Sequence, residues 1–139
     1  MKANELMIGD WVIFGDEPLK VQHLYNNGYD DVVAEIVEEG TNEYGVYEEI
    51  KDVPVVYCSP IPLTPEILEK NGFIKVNSQR YDYGYPDTDC YVKVNPKKNM
   101  IHVNGRNANS NLYSHSFVHQ IQQALRLCGL NKIADNFKL

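Results

Sequence analysis

Apolar and polar residues alternate in short runs through the first sixty or so positions, which is a β-strand pattern. Trp11 to Phe14 is an apolar, β-rich run entered through a Gly9-Asp10 turn. Gly15-Asp16-Glu17-Pro18 predicts the next turn. Leu19 to Tyr25 predicts a second strand, with Leu19, Val21, His23 and Tyr25 on one face. Asn26-Asn27-Gly28 is a turn signal before a third strand over Val32 to Glu38. Gly40 to Gly45 reads as another turn, and Val46 to Ile50 and Val53 to Tyr57 supply one or two further short strands. Four or five short strands spaced about ten residues apart suggest a small, strongly bent barrel. The Gly9-Asp10-Trp11-Val12 start, with a hairpin returning through Lys20-Val21, has the pattern of an SH3-like barrel.

The pattern changes at Pro60-Ile61-Pro62-Leu63-Thr64-Pro65, which opens a short helix over about 64–71. Thr64 suits the N-cap, and Pro65 suits the first helical position, where its missing N–H costs nothing. Glu66 sits at the positive end of the helix dipole, and Asn71-Gly72 stops the helix. Phe73 to Val76 then reads as a strand. Tyr91 to Val94 and Met100 to Val103 form a hairpin around Pro96-Lys97-Lys98-Asn99, and Asn104 to Asn111 reads as an exposed polar loop. Ser116 to Cys128 predicts the longest helix. Phe117, Val118, Ile121, Ala124, Leu125 and Cys128 make its apolar stripe; His119, Gln122, Gln123 and Arg126 lie mainly away from it. Gly129 stops it, and Asn131 caps a short final turn that tucks Phe137 back on the core. The expected fold class is α+β: a small SH3-like β-barrel over 1–62, then an α+β unit over 63–139.

With 139 residues and 43% hydrophobic content the chain can bury a core. No stretch approaches the roughly 18 apolar residues of a membrane span, and no apolar run marks the N-terminus as a secretory signal, so a cytoplasmic location is expected. The cysteines at 58, 90 and 128 are odd in number and lack a Cys-x-x-Cys pair. That argues against a disulfide scaffold or a cysteine-only zinc site and for reduced, mostly buried thiols. Charge alters the picture further. Residues 1–62 carry 13 acidic and 3 basic side chains, a net of −10, whereas residues 63–139 carry 6 acidic and 10 basic, a net of +4. The split suits two faces with different partners, or head-to-tail self-association, and argues against nucleic acid on the acidic part.

Three segments, Ile8-Gly9-Asp10-Trp11-Val12, Pro60-Ile61-Pro62-Leu63-Thr64 with Asn71-Gly72-Phe73, and Val118-His119-Gln120-Ile121-Gln122 continuing to Leu125 and Gly129, occur in this order along nearly the whole chain. In this the chain resembles a group of small uncharacterised proteins of gut Bacteroidetes and of their phages and mobile elements. The resemblance implies no activity, cofactor or catalytic residue.

Side chains that could carry chemistry are few. His115 and His119 are four apart, and on one helical face such a pair can hold zinc or another divalent ion. A zinc protease would also need Glu at position 116, where this chain has Ser. Cys128 at a helix C-terminus and Cys90 beside Asp89 are poor thiolates. The acidic pairs Asp30-Asp31, Glu38-Glu39 and Glu48-Glu49 point to opposite strand faces and do not converge. The most suggestive surface is Tyr81-Asp82-Tyr83-Gly84-Tyr85, because tyrosine is enriched in contact surfaces. Tyr81, Tyr83 and Tyr85 share a face if extended, either as a contact surface or packed on the helix from Ser116.

The reading that follows is a non-enzymatic, protein-binding module without a cofactor. Tyr81, Tyr83, Tyr85, Arg106, Asn107 and Asn109 form its expected contact surface. The partner is another protein or a second copy, and no membrane is involved. Nucleic-acid binding through the basic second half is one alternative, and a metal-dependent enzyme at His115 and His119 is the other.

Overall fold

A computed structural model describes residues 1–28, 32–84, 91–105, 108–113 and 116–139. The chain divides into two units, Met1–Ile61 and Pro62–Leu139. Each has its own antiparallel five-stranded sheet, and the fold is mixed α+β.

The first unit contains β1 (Trp11–Phe14), β2 (Glu17–Asn26), β3 (Val32–Asn42), β4 (Gly45–Pro54) and β5 (Cys58–Pro60). The spatial order is β4-β3-β2-β1-β5, and among the described residues the sheet does not close on itself. Gly15, at φ +62°, opens the two-residue turn that joins Phe14 to its partner Glu17. The strand therefore begins at Glu17-Pro18, within the stretch read as turn. A register shift between Val21 and His23 bends β2 where it leaves β1 for β3. Val12, Leu19, Val21, Ala34, Ile36, Val53, Val55 and Cys58 point into one core. The Gly9-Asp10 turn is fastened to β2 by Gly9 N–H donating to Val21 O (2.7 Å) and Val21 N–H donating to Asp10 O (2.9 Å). The fully buried Asp10 carboxylate accepts from Met7 N–H at 2.9 Å, so its desolvation is offset by charge-assisted hydrogen bonding.

The second unit begins with α1 (Pro65–Lys70). Thr64 Oγ1 accepts from Ile67 N–H at 3.3 Å. At the other end Phe73 N–H reaches Leu68 O and Gly72 N–H reaches Glu69 O, with Gly72 at φ +83°. This is a Schellman stop. The strands β6 (Ile74–Asn77), β7 (Arg80–Tyr83), β8 (Tyr91–Asn95), β9 (Met100–Gly105) and β10 (Ala108–Tyr113) follow as a meander in chain order. The polar stretch from Asn104 is thus a strand end and a new strand rather than one exposed loop. Pairing with β8 and β9 supplies its backbone hydrogen bonds and overrides weak β-propensity.

Val92, Val94, Ile101 and Val103 pair across β8 and β9 and are fully buried. α2 (Val118–Leu127) packs on β9 and β10 through Val118, Ile121, Ala124 and Leu125. Burying each of these larger aliphatic side chains contributes about 1.5–3 kcal/mol. α3 (Asn131–Asp135) folds back on α2, and Gln122 Nε2 donates to Ala134 O at 2.9 Å. His119 and Gln122, expected mainly off the packed face, are buried: the Phe117 ring stacks on His119, and α3 folds over Gln122. Among the described residues no helix is long and apolar enough to cross a membrane.

Candidate functional site

The sequence-based contact surface is only partly where it was expected. Tyr81 is 4% exposed, a core residue paired with Val94, and Tyr83 packs on Phe73 with ring centroids 5.2 Å apart. These two rings therefore pack inside the unit, because their face of β7 is the one turned to the core. Tyr85, Arg106 and Asn107 lie outside the described residues. Asn109 sits on β10 opposite Asn104. Of the histidine pair, His115 lies outside the described residues. His119 is buried, its ring stacked on Phe117 at 5.9 Å and 12°. Among the described residues no three His, Cys, Asp or Glu side chains cluster as metal ligands would.

The opposite face of the second sheet is polar. Arg80 grips Asp82 with two hydrogen bonds, at 2.8 and 2.6 Å. Lys93 Nζ lies 4.9 Å from the Tyr91 ring centroid. Hydrogen bonds from Asn104 and Lys93 hold the Tyr91 phenol below its ordinary pKa. A cavity of about 370 Å³ beside them is lined by Arg80, Lys93, Val94, Asn95, Met100 and His102. Its strongest cation, Arg80, is already paired, so the cluster orders the sheet more than it offers a charge.

Large apolar side chains are exposed at Ile8, Val56, Tyr57 and Ile74, and, together with a row of carboxylates, on the ribbon made by β3 and β4. These strands pair without a register break from Val33↔Pro54 to Asn42↔Gly45. Only Glu43 and Tyr44 form the turn, so the stretch read as a Gly40 to Gly45 turn is mostly strand. At its base the ribbon is core, with Ala34, Ile36 and Val53 buried. Beyond that the polarity rule breaks down. Gly45 through Ile50 are all exposed, yet Tyr44 (89%), Val46 (72%) and Ile50 (63%) are large and apolar.

On one face the cross-strand rows read Thr41–Val46, Glu39–Glu48, Val37–Ile50 and Glu35–Asp52. Apolar and acidic rows alternate. Toward the base His23 Nε2 is 3.7 Å from Glu35, and Tyr25 donates a hydrogen bond to Asp52. That hydrogen bond, then burial and the carboxylate charges, push the Tyr25 phenol up. On the other face the Tyr47 ring lies across Gly40 so closely that a Cβ there would meet it. An aromatic covering a glycine in this way stiffens a ribbon.

Glu39 and Glu48 face each other directly, and like charges in that position destabilise a sheet. A surface that breaks local stability rules in one place is the usual mark of a functional site. What it offers is non-covalent: apolar side chains to bury, carboxylates for cations, and the outer edge of β4, the last strand of its sheet. Sequence reading missed Tyr44, Val46 and Ile50. The available signal was that residues 46–50 carry apolar and acidic side chains on both strand faces, leaving no clean inward face.

No protein-family model, curated protein or solved structure matches the chain.

Proposed function

We propose that the chain is a non-enzymatic module that binds another protein through the β3–β4 ribbon. The observation that carries this is the exposure of Tyr44, Val46 and Ile50 on a well-registered ribbon, outside the core cluster of its unit. Burying side chains of this size contributes about 1.5–3 kcal/mol each, and aromatic anchors of this kind dominate protein interfaces. The reading keeps a cytoplasmic setting, in line with cysteines that show no pairing pattern. It also keeps an SH3-like course for the part expected over 1–62, which the strand order β4-β3-β2-β1-β5 supports.

The test is a variant with Tyr44→Ser, Val46→Ser and Ile50→Ser together. Its folding should be retained, because these side chains contribute little to the core. Affinity capture from cells that encode the chain should recover a partner with the wild-type protein and with a Tyr83→Ala control, and lose it with the triple variant. Equal recovery by the triple variant overturns the proposal.

A further inference from the structure

The outer edge of β4 has a definite hydrogen-bonding phase. In a two-residue hairpin the closing pair, here Asn42↔Gly45, exchanges both backbone bonds. Hydrogen-bonded pairs then fall at Gly40↔Tyr47, Glu38↔Glu49 and Ile36↔Lys51. The backbone N–H and C=O groups of Val46, Glu48, Ile50 and Asp52 consequently point away from β3. Among the described residues no strand takes them up, since β4 ends its sheet. These same four residues carry their side chains on the face with alternating rows.

An added strand would bond to this edge, and its side chains on that face would extend each row by one place. Rows are two residues apart along a strand, about 6.8 Å, so successive same-face residues of the newcomer meet Glu48, Ile50 and Asp52 in turn. The acidic row at Glu39–Glu48 asks for a cation. The Val37–Ile50 row asks for an apolar residue. The Glu35–Asp52 row, softened by His23 and Tyr25, takes a second cation.

We infer that the β4 edge binds an extended segment of another protein with Lys or Arg at positions i and i+4 and an apolar residue at i+2. This rests on reading the ribbon as a contact surface. The pattern is the same in both directions, so parallel and antiparallel addition both satisfy it. A second copy of the chain does not supply it. Lys93 and Lys97 are its only basic pair four residues apart, and Asn95 stands between them. Pairing of two β4 edges would bring Glu48 and Glu49 of both copies together, a charge arrangement that natural edges use to prevent such pairing.

The test uses the full chain, isotopically labelled, with two synthetic peptides of identical composition. One, TKTVTKTVT, puts lysines and valines on one face. The other, TKVTTKVTT, splits them between faces. The matched peptide should shift the amide signals of Val46, Glu48 and Ile50. Its affinity should exceed that of the split peptide about tenfold. It should also fall by roughly an order of magnitude between about 20 mM and about 500 mM salt.

Two variants separate edge from charge. Glu48→Pro removes an outward N–H without touching the β3 ladder and should abolish binding, since proline is tolerated on an edge strand. Glu48→Gln removes only the charge and should weaken binding by about threefold, the effect of one exposed charge pair. Equal binding of the two peptides, signals that shift elsewhere, or wild-type binding by Glu48→Pro would each overturn the inference. Should the triple-serine variant lose its partner while the peptides fail to discriminate, the ribbon reading stands and the basic-strand inference falls. A triple variant that keeps its partner removes both.

Discussion

Glu48→Lys should make the first unit more stable and less able to bind. Glu48 faces Glu39 directly across the ribbon. With the carboxylates about 6 Å apart in water, their repulsion is about 0.7 kcal/mol before screening. At about 0.15 M salt the Debye length is about 8 Å, which leaves about 0.3 kcal/mol. Reversing one charge replaces that repulsion with an attraction of similar size. The expected gain is therefore about 0.6 kcal/mol, within the range measured for cross-strand pairs.

The ribbon register runs unbroken into the buried base of the sheet, so the gain should appear in unfolding of the whole unit. Trp11 is the only tryptophan of the chain and lies on β1, so its fluorescence reports this unit alone. With a urea dependence of about 1 kcal/mol per molar, the midpoint should rise by about 0.6 M, and Glu48→Gln should give about half that. The gain should shrink at high salt. A destabilised Glu48→Lys, or a gain indifferent to salt, would refute the electrostatic reasoning. A stabilised variant that also keeps full partner binding would refute the functional reading of the pair.

Other consequences follow from the second unit and from the buried groups. Gln122→Ala should destabilise the second unit by about 2–4 kcal/mol, because it opens a cavity in the core and removes the side-chain bond to Ala134 O; circular dichroism during urea unfolding reads this. Tyr91 and Tyr25 should titrate on opposite sides of the ordinary tyrosine value of about 10, read as differences in phenolate absorbance between wild type and each Phe variant. The depressed Tyr91 adds stability as pH rises through its folded value, whereas the contribution of the raised Tyr25 is present below about 10 and is lost as pH climbs through its higher folded value. Cys58, buried and with its thiol pushed up by that burial, should react with iodoacetamide far more slowly at mildly alkaline pH than an unfolded control.

Local features were legible in the sequence, and features made by distant pairing were not. Thr64, Pro65 and Gly72 occupy the cap, first-turn and stop positions their chemistry suits, since a cap needs only neighbours within one turn. The glycines and asparagine over 40–45 suggested a broad turn, but cross-strand pairing extends strand through Asn42 and resumes it at Gly45. Nothing within five residues encodes that register. Gln122 looked solvent-facing by helical spacing and is buried because α3 folds over it, a contact set by the chain after Gly129. The tyrosines of β7 show the same limit for the site. Alternation put Tyr81 and Tyr83 on one face, but which face meets the core is decided by the strands on either side. The exposed apolar residues of the ribbon, Tyr44, Val46 and Ile50, were hidden in a segment whose acidic composition read as ordinary surface.

The most direct measurement is photo-crosslinking from single positions in cells that encode the chain. A photoreactive residue at Val46 should yield one discrete protein adduct, lost when Glu48→Pro is added. The same residue at the exposed position Lys132, on α3, should yield none. Equal adducts from both positions, or none from Val46, would contradict the ribbon as the binding surface.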